Sequence, residues 1–172
     1  SRAALAPLEL GACERVLDVG AGTGELTRVL REESPGQVVA LDADASLLAE
    51  VPDPRVRGDA TRLPFPDDAF DVVVCQALLV NLPDPTAAVR EFARVASDRV
   101  AAIEPNNAAV TVESTVDSEP ILARRAREYF LDGVRTDVTL GAATADVFEA
   151  AGLAVVSTRR YDQRRIVEPP CD

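Results

Sequence analysis

The run Arg15-Val16-Leu17-Asp18-Val19-Gly20-Ala21-Gly22-Thr23-Gly24 restricts the fold of this chain more than any other stretch. Residues 15–19 read as a short buried strand, and three glycines spaced G-x-G-x-G end it. Glycine lacks a Cβ, so backbone built from it can turn sharply and approach a ligand closely. Directly afterwards Leu26, Val29 and Leu30 recur at helical spacing until Ser34-Pro35-Gly36 stops the helix. Strand, glycine turn and helix in this order open a βαβ unit. The N–H groups and positive dipole end of its helix face whatever carboxylate or phosphate sits at the turn.

The same rhythm continues along the chain. Residues 37–42 read as a second strand, and 45–50 as a short helix cut off by Pro52 and Pro54. Residues 55–57 form a brief third strand, 58–68 an ordered loop, and 70–75 a fully buried fourth strand. Asp84-Pro85 supplies an N-cap and a first-turn proline to a helix with Val89, Phe92, Val95 and Ala96 on one face. Residues 99–103 are the fifth strand, stopping at Glu104-Pro105. Strands joined by short helical crossovers predict an α/β fold: a doubly wound, mostly parallel Rossmann-like sheet with helices on both faces. From 106 to about 140 the connection is longer than a crossover needs and holds its own helix from about 118 to 131, which reads as an inserted helical cap. Residues 142–151 are the last core helix and 153–161 the last strand; any strand beyond that is very short or cut off. The 172 residues are expected to form one domain, 1–172.

Composition narrows the function. Eighteen basic and 29 acidic residues give a net charge of −11, and every basic residue is Arg. Phosphate backbones and anionic lipids bind through clustered positive charge, so neither nucleic acid nor a membrane is an expected partner; a small neutral or cationic ligand is. The longest apolar run falls short of the roughly 18 residues of a membrane span. With no histidine, the common zinc sites and the Ser–His or Cys–His dyads lack a member. Cys13, Cys75 and Cys171 are odd in number and have no C-x-x-C spacing, which suits a reducing cytoplasm and no metal site. Ser1 stands where an initiator Met is expected, so the ends read as trimmed, and the first residues do not read as a secretory leader.

Several residues stand where the carboxyl ends of such strands converge. The G-x-G-x-G spacing of Gly20, Gly22 and Gly24 departs from the dinucleotide fingerprint G-x-G-x-x-G, whose third glycine would fall at Glu25. Asp42 ends the second strand, where a carboxylate can take both hydroxyls of a ribose. Asp44 caps the following helix. Asp59 either accepts from an exocyclic amine while the Ala60 backbone pairs with a ring nitrogen, or it forms a local Asx turn. Glu104, at the end of the fifth strand, is either a general base or an ordinary loop carboxylate. The arginines of 124–127 either clamp an anionic substrate or form the solvated face of the cap helix.

Taken in order, Val16 to Gly24, Leu41-Asp42, Gly58-Asp59-Ala60, Leu63-Pro64-Phe65 and Phe70 to Val74 closely resemble the class I S-adenosylmethionine-dependent methyltransferases. The resemblance runs from about residue 14 to 104 and is closest to the small-molecule branch that includes the quinone-biosynthesis C-methyltransferases. It implies that Asp18 and the turn of Gly20, Ala21, Gly22 and Gly24 hold the amino-acid end of S-adenosylmethionine. Asp42 would hold its ribose, Ala43 the adenine face, and Asp59 and Ala60 the adenine edge. Gln76 and Ala77 would line the methyl channel, with the acceptor a small molecule in an apolar pocket near residues 77–82. Methyl transfer from a sulfonium is an in-line displacement governed by positioning, and a base such as Glu104 is optional. Two rivals remain at this point. One is a module that binds the cofactor without turnover; the other is a nicotinamide-dependent oxidoreductase, which has no use for Asp18. Neither the acceptor atom nor the oligomeric state is legible.

The charge itself generates a prediction. Carboxylates crowded on a surface repel one another at about 0.1 M salt, where the Debye length is about 10 Å, and largely cease to do so at about 1 M, where it is about 3 Å. An adaptation to high salt therefore predicts an unfolding midpoint that climbs in KCl from about 0.1 to 2 M beyond the effect of an uncharged osmolyte at matched water activity. A flat or falling midpoint would leave the Arg-for-Lys composition as coding bias.

Overall fold

Side chains alternate across a strand, and here the alternation sorts the core onto two faces of one sheet. The computed structural model describes residues 2–110, 118–133 and 139–161. Its elements run α1 (Arg2–Leu5), β1 (Arg15–Val19), α2 (Glu25–Glu33), β2 (Gln37–Asp42), α3 (Ala45–Leu48) and β3 (Arg55–Arg57). They continue with β4 (Phe70–Gln76), α4 (Pro85–Val95), β5 (Ala96–Ile103), α5 (Glu119–Gly133) and α6 (Thr144–Ala150). The strands form one sheet of order β3-β2-β1-β4-β5, parallel at every pairing. On one face Val16, Val38, Val72 and Val74 pack against Leu26 and Leu30 of α2 and against Leu5, Leu8 and Leu10. On the other, Leu17, Val19, Val39, Leu41, Val73 and Cys75 pack against Val89, Phe92 and Val95 of α4 and Val147 of α6. The expected doubly wound α/β architecture is therefore the observed one. Its chain order reverses between β1 and β4, the switch point beside which such sheets open a ligand crevice.

Polar side chains close the ends of these elements. Asp71 Oδ2 accepts the N–H groups of Glu14 (2.6 Å) and Arg15 (2.9 Å), so the second residue of β4 pins the entry of β1. Asp44 caps α3, accepting from Ser46 and Leu47 N–H, and Asp84 caps α4 through Ala87 N–H. Arg94, on α4, grips the loop after β3. It donates to the carbonyls of Phe65 (2.9 Å) and Leu63 (3.1 Å) and to Asp67 Oδ1 (2.8 Å), and holds Glu91 with both Nε and Nη2. Glu91 in turn accepts Leu63 N–H at 2.9 Å, and the guanidinium keeps its carboxyl below the ordinary range.

Four details differ from the sequence expectations. Helix α4 passes into β5 at Ala96, three residues before the expected strand and without a loop, and the pairing with β4 is irregular between Phe70 and Val72. Helix α6 begins at Thr144, preceded by a 3-10 turn over Leu140–Ala142. Residues 153–161, expected as a strand, join no ladder: Leu153 and Val155 are half-buried, while Val156 is 95% exposed. Alternation marks a chain with one covered side, but a strand also needs a partner backbone, and among the described residues β5 pairs only with β4. The N-terminal turn, which puts buried Leu5, Leu8 and Leu10 on the α2 face, was not anticipated. Of the expected cap over 106–140, α5 is present with all its described side chains exposed or half-buried; residues 111–117 and 134–138 lie outside the described residues, as does any strand after 161.

Arg94→Ala should lower stability by about 1–2 kcal/mol, since it removes several charge-assisted contacts at once on a side chain two-thirds covered. Native-state exchange should rise at residues 63–68 first. A loss below about 0.5 kcal/mol in urea titration would show that other contacts hold that loop.

Candidate cofactor and active site

Because every strand is parallel, the residues that end them meet along one edge. The turn after β1 folds back on β2: Gly20 and Ala21 N–H both donate to Leu41 carbonyl oxygen, at 2.8 and 3.0 Å. Gly22 N–H donates to Asp42 Oδ2 at 2.8 Å, and Asp44 N–H to Asp42 Oδ1 at 2.8 Å. The Asp42 carbonyl accepts Gly58 N–H at 3.0 Å, which draws the loop carrying Asp59 and Ala60 to the same edge. Each Asp42 oxygen thus spends one acceptor position on backbone and keeps capacity for a further donor. Gly22 sits at φ +54°, and a Cβ built there meets nothing within 4 Å, so the turn presents bare backbone to open space. Gly24, at φ +85°, precedes α2 with no side-chain cap, which leaves the helix N-terminus to other acceptors.

Asp18 lies beneath this turn. The alternation of β1 aims it at α2, where Thr27 Oγ1 donates to Asp18 Oδ2 at 2.6 Å, both side chains being about 1% exposed. Oδ1 has no partner. Burial, opposed by the Thr27 hydrogen bond and aided by the nearby Asp42 charge, pushes the Asp18 carboxyl up to about 6.

The remaining candidates fall in two groups. Asp59 forms the Asx turn, its Oδ1 accepting both the N–H and the hydroxyl of Thr61 at 2.8 Å, and these bonds, made through Oδ1, lower its pKa. Ala60 is buried beside it, while Ala43 is exposed and accepts from Arg57 Nε through its carbonyl. Across the switch point, Gln76, the last residue of β4, and Ala77 are exposed, and Ala77 adopts φ +51°, a left-handed conformation unusual for a residue with a Cβ. Ala77 N–H is held by Ile103 carbonyl oxygen at 2.9 Å. Glu104 does not extend a free carboxylate into the crevice. Its Oε1 accepts Leu78 and Leu79 N–H at 3.0 Å and its Oε2 accepts Val80 N–H at 3.3 Å, while burial raises its pKa. Of the α5 arginines, Arg124 lies 3.8 Å from Glu128, and Arg127 donates to Val110 carbonyl oxygen. Sequence reasoning missed Thr27 and the contact of Leu78 with Gly20. Thr27 was legible in principle as a polar residue on the buried face of α2; Leu78 carries no sequence signal that separates it from its apolar neighbours.

A glycine turn locked to an acidic residue at the end of β2, at the switch point of a parallel sheet, defines a nucleoside-binding α/β domain. The methyltransferase domain family matches residues 17–103, half of the chain. Demethylmenaquinone methyltransferase of Mycolicibacterium paratuberculosis is 37% identical over 133 residues, 76% of this chain and 54% of that protein. The protein of the same name from Mycolicibacterium gilvum is 32% identical over 170 residues, 96% of this chain and 71% of that one. The chain thus spans about half the length of the first of these relatives. Among solved structures, a complex of the Haloferax volcanii Trm112 methyltransferase activator with a protein described as a methyltransferase matches with TM-score 0.66 at 24% identity, over 91% of this chain and 68% of that one. A protein described as a methyltransferase from Bacillus halodurans matches with TM-score 0.63 at 22% identity, over 87% and 67%. At these identities the structures show a shared fold. The chain belongs to the class I S-adenosylmethionine-dependent methyltransferase family, as its motifs imply.

The buried Asp18 carboxyl predicts an unusual pH dependence of folding. A carboxyl whose folded pKa lies above its unfolded value binds its proton more tightly when folded, so stability falls as pH rises from about 4 to about 6 and stays lower above that. Asp18→Asn should flatten this segment of the stability curve, a difference on the order of 2–3 kcal/mol between its ends. Equal slopes in wild type and variant by urea denaturation across that range would contradict it.

Proposed function

We propose that this chain is the catalytic domain of a cytoplasmic enzyme that transfers a methyl group from S-adenosylmethionine to a small molecule of the quinone class. The reading is carried by the interlock of the glycine turn with Asp42, in a domain whose relatives are named demethylmenaquinone methyltransferases. S-adenosylmethionine supplies an electrophilic methyl on a sulfonium whose neutral thioether leaves. The residues present fit such a ligand: a buried carboxylate under the turn with Oδ1 unpartnered among the described residues, an uncovered Gly22, an uncapped helix N-terminus and spare acceptor capacity on Asp42.

In this reading the α2 N-terminus and the turn of Gly20, Ala21, Gly22 and Gly24 receive the ligand carboxylate, and Asp18 contributes negative charge beneath its ammonium. Asp42 accepts the ribose hydroxyls, Ala43 packs on the adenine, and Asp59 Oδ2 with the Ala60 backbone meets the adenine edge. Gln76 and Ala77, exposed at the end of β4, flank the methyl, and the segment 106–140 covers the acceptor. An acceptor nucleophile held in line needs positioning and dehydration more than a base. Glu104 is better supported as a structural clamp than as that base, because its oxygens are occupied by three N–H groups.

Isothermal calorimetry tests the site. Asp42→Ala should weaken S-adenosylhomocysteine binding at least about tenfold, the cost of a charge-assisted bidentate contact; unchanged affinity would overturn the ribose assignment. Turnover is tested by the mass gain of one methylene on a demethylated naphthoquinone. Binding without any gain would move the chain to the class of binding modules.

A further inference from the structure

The loop that follows β4 is tied to the end of β5 more tightly than a passive connection requires. Ile103 carbonyl oxygen holds Ala77 N–H at 2.9 Å, and the next residue, Glu104, accepts three consecutive N–H groups, from Leu78, Leu79 and Val80. These are the groups that a 3-10 turn over Leu79–Asn81 leaves unpaired at its start, so Glu104 caps that turn from outside. The turn closes on itself through Asn81 N–H to Leu78 carbonyl oxygen (2.9 Å) and Asn81 Nδ2 to Ala77 carbonyl oxygen (2.7 Å). Leu79 and Val80 are thereby sunk into the core at 1% and 4% exposure, and Ala77 is held at φ +51°. The consequence appears at Leu78. Its side chain lies against the glycine turn so closely that a Cβ on Gly20 would stand 2.8 Å from Leu78 Cδ1.

We propose that Glu104 is a positioning residue, which through the 77–82 loop presses Leu78 onto Gly20 and so sets the cofactor turn and the methyl-side loop in register as one unit. The proposal rests on the cofactor reading above and assigns Glu104 a role other than proton transfer. The chemistry of the contact favours it. A buried carboxylate is stabilised by N–H groups aimed at both its oxygens, and the Cys75 thiol is a further donor at Oε1, at 3.7 Å. None of the ion pairs among the described residues includes Glu104, so its anchoring depends on those N–H groups. Replacement by glutamine keeps the shape but turns one acceptor into a donor that faces an N–H, which releases part of the turn.

The experiment is a double-mutant cycle with Glu104→Gln and Leu78→Ala, read by amide exchange without ligand and by S-adenosylhomocysteine affinity. Glu104→Gln should speed exchange at residues 78–80 and weaken binding about tenfold, the effect of losing a charge-assisted hydrogen bond. Leu78→Ala should weaken binding as much while leaving that exchange slow, and the double variant should bind no worse than the weaker single one. Additive losses, or exchange unchanged in Glu104→Gln, would overturn the proposal. In turnover assays the loss should fall on KM for the cofactor; a loss confined to kcat, with the pH profile losing a limb, would assign Glu104 to proton transfer instead. Should Glu104→Gln not fold, Leu78→Ala still decides, because unchanged affinity there removes the link to Gly20. If the wild type binds no S-adenosylhomocysteine, the cofactor reading fails, and exchange at 78–80 judges the clamp by itself.

Discussion

The hydrogen bond from Gly22 N–H to Asp42 Oδ2 joins the two pieces of chain on which the candidate site depends. A glycine turn by itself is permissive and therefore floppy, since the freedom that lets Gly20, Gly22 and Gly24 take positive φ also lets them leave it. Asp42 removes that freedom with one oxygen, and β2 reinforces it through Leu41, whose carbonyl receives two N–H groups of the turn. The same backbone also accepts Gly58 N–H from the loop after β3. Three segments distant in sequence are thus fixed before any ligand arrives, so a ligand bound at this edge would bear less of the cost of ordering them.

How much of this the sequence revealed follows from the range of the interactions involved. The β1 strand, the turn and α2 are contiguous, and their signals, glycine spacing and helical periodicity, are local. The position of Asp42 at the end of β2 is legible because a parallel sheet brings all strand ends together, a consequence of topology rather than of contact detail. The Asx turn of Asp59 was one of two local readings, and Thr61 two residues later makes the bonds. The contacts that went unread act across long gaps: Asp71 on β1, Arg94 on the 63–67 loop, and Glu104, read as a base or a loop carboxylate, on Leu78 to Val80. A carboxylate after a strand looks the same in sequence whether it faces a ligand or caps a distant turn. The missing final strand has a different cause. The alternation around Leu153 and Val155 is present, but a ladder is a property of two chains of backbone, and periodicity reports only one.

Electrostatics along the edge ties these observations together. Asp18, Asp42 and Glu104 all stand at or beneath it, and among the described residues none of the three takes part in an ion pair. Their oxygens are met by N–H groups and hydroxyls, which carry partial charge only. Arginines are available in this chain, and they are spent elsewhere: Arg94 on the loop after β3, Arg55 on three carbonyls at the end of α3, Arg31 on carbonyls of residues 38, 52 and 54. An edge left negative in a low-dielectric setting disfavours anions and raises the affinity for a cation, more so where water is excluded. Under the proposed function, a ligand carrying an ammonium and a sulfonium, with its single carboxylate at the helix N-terminus, would meet both features of this edge at once. A nicotinamide dinucleotide would bring two phosphates to this negative edge and would lack the third glycine of its G-x-G-x-x-G turn, since Glu25 stands there.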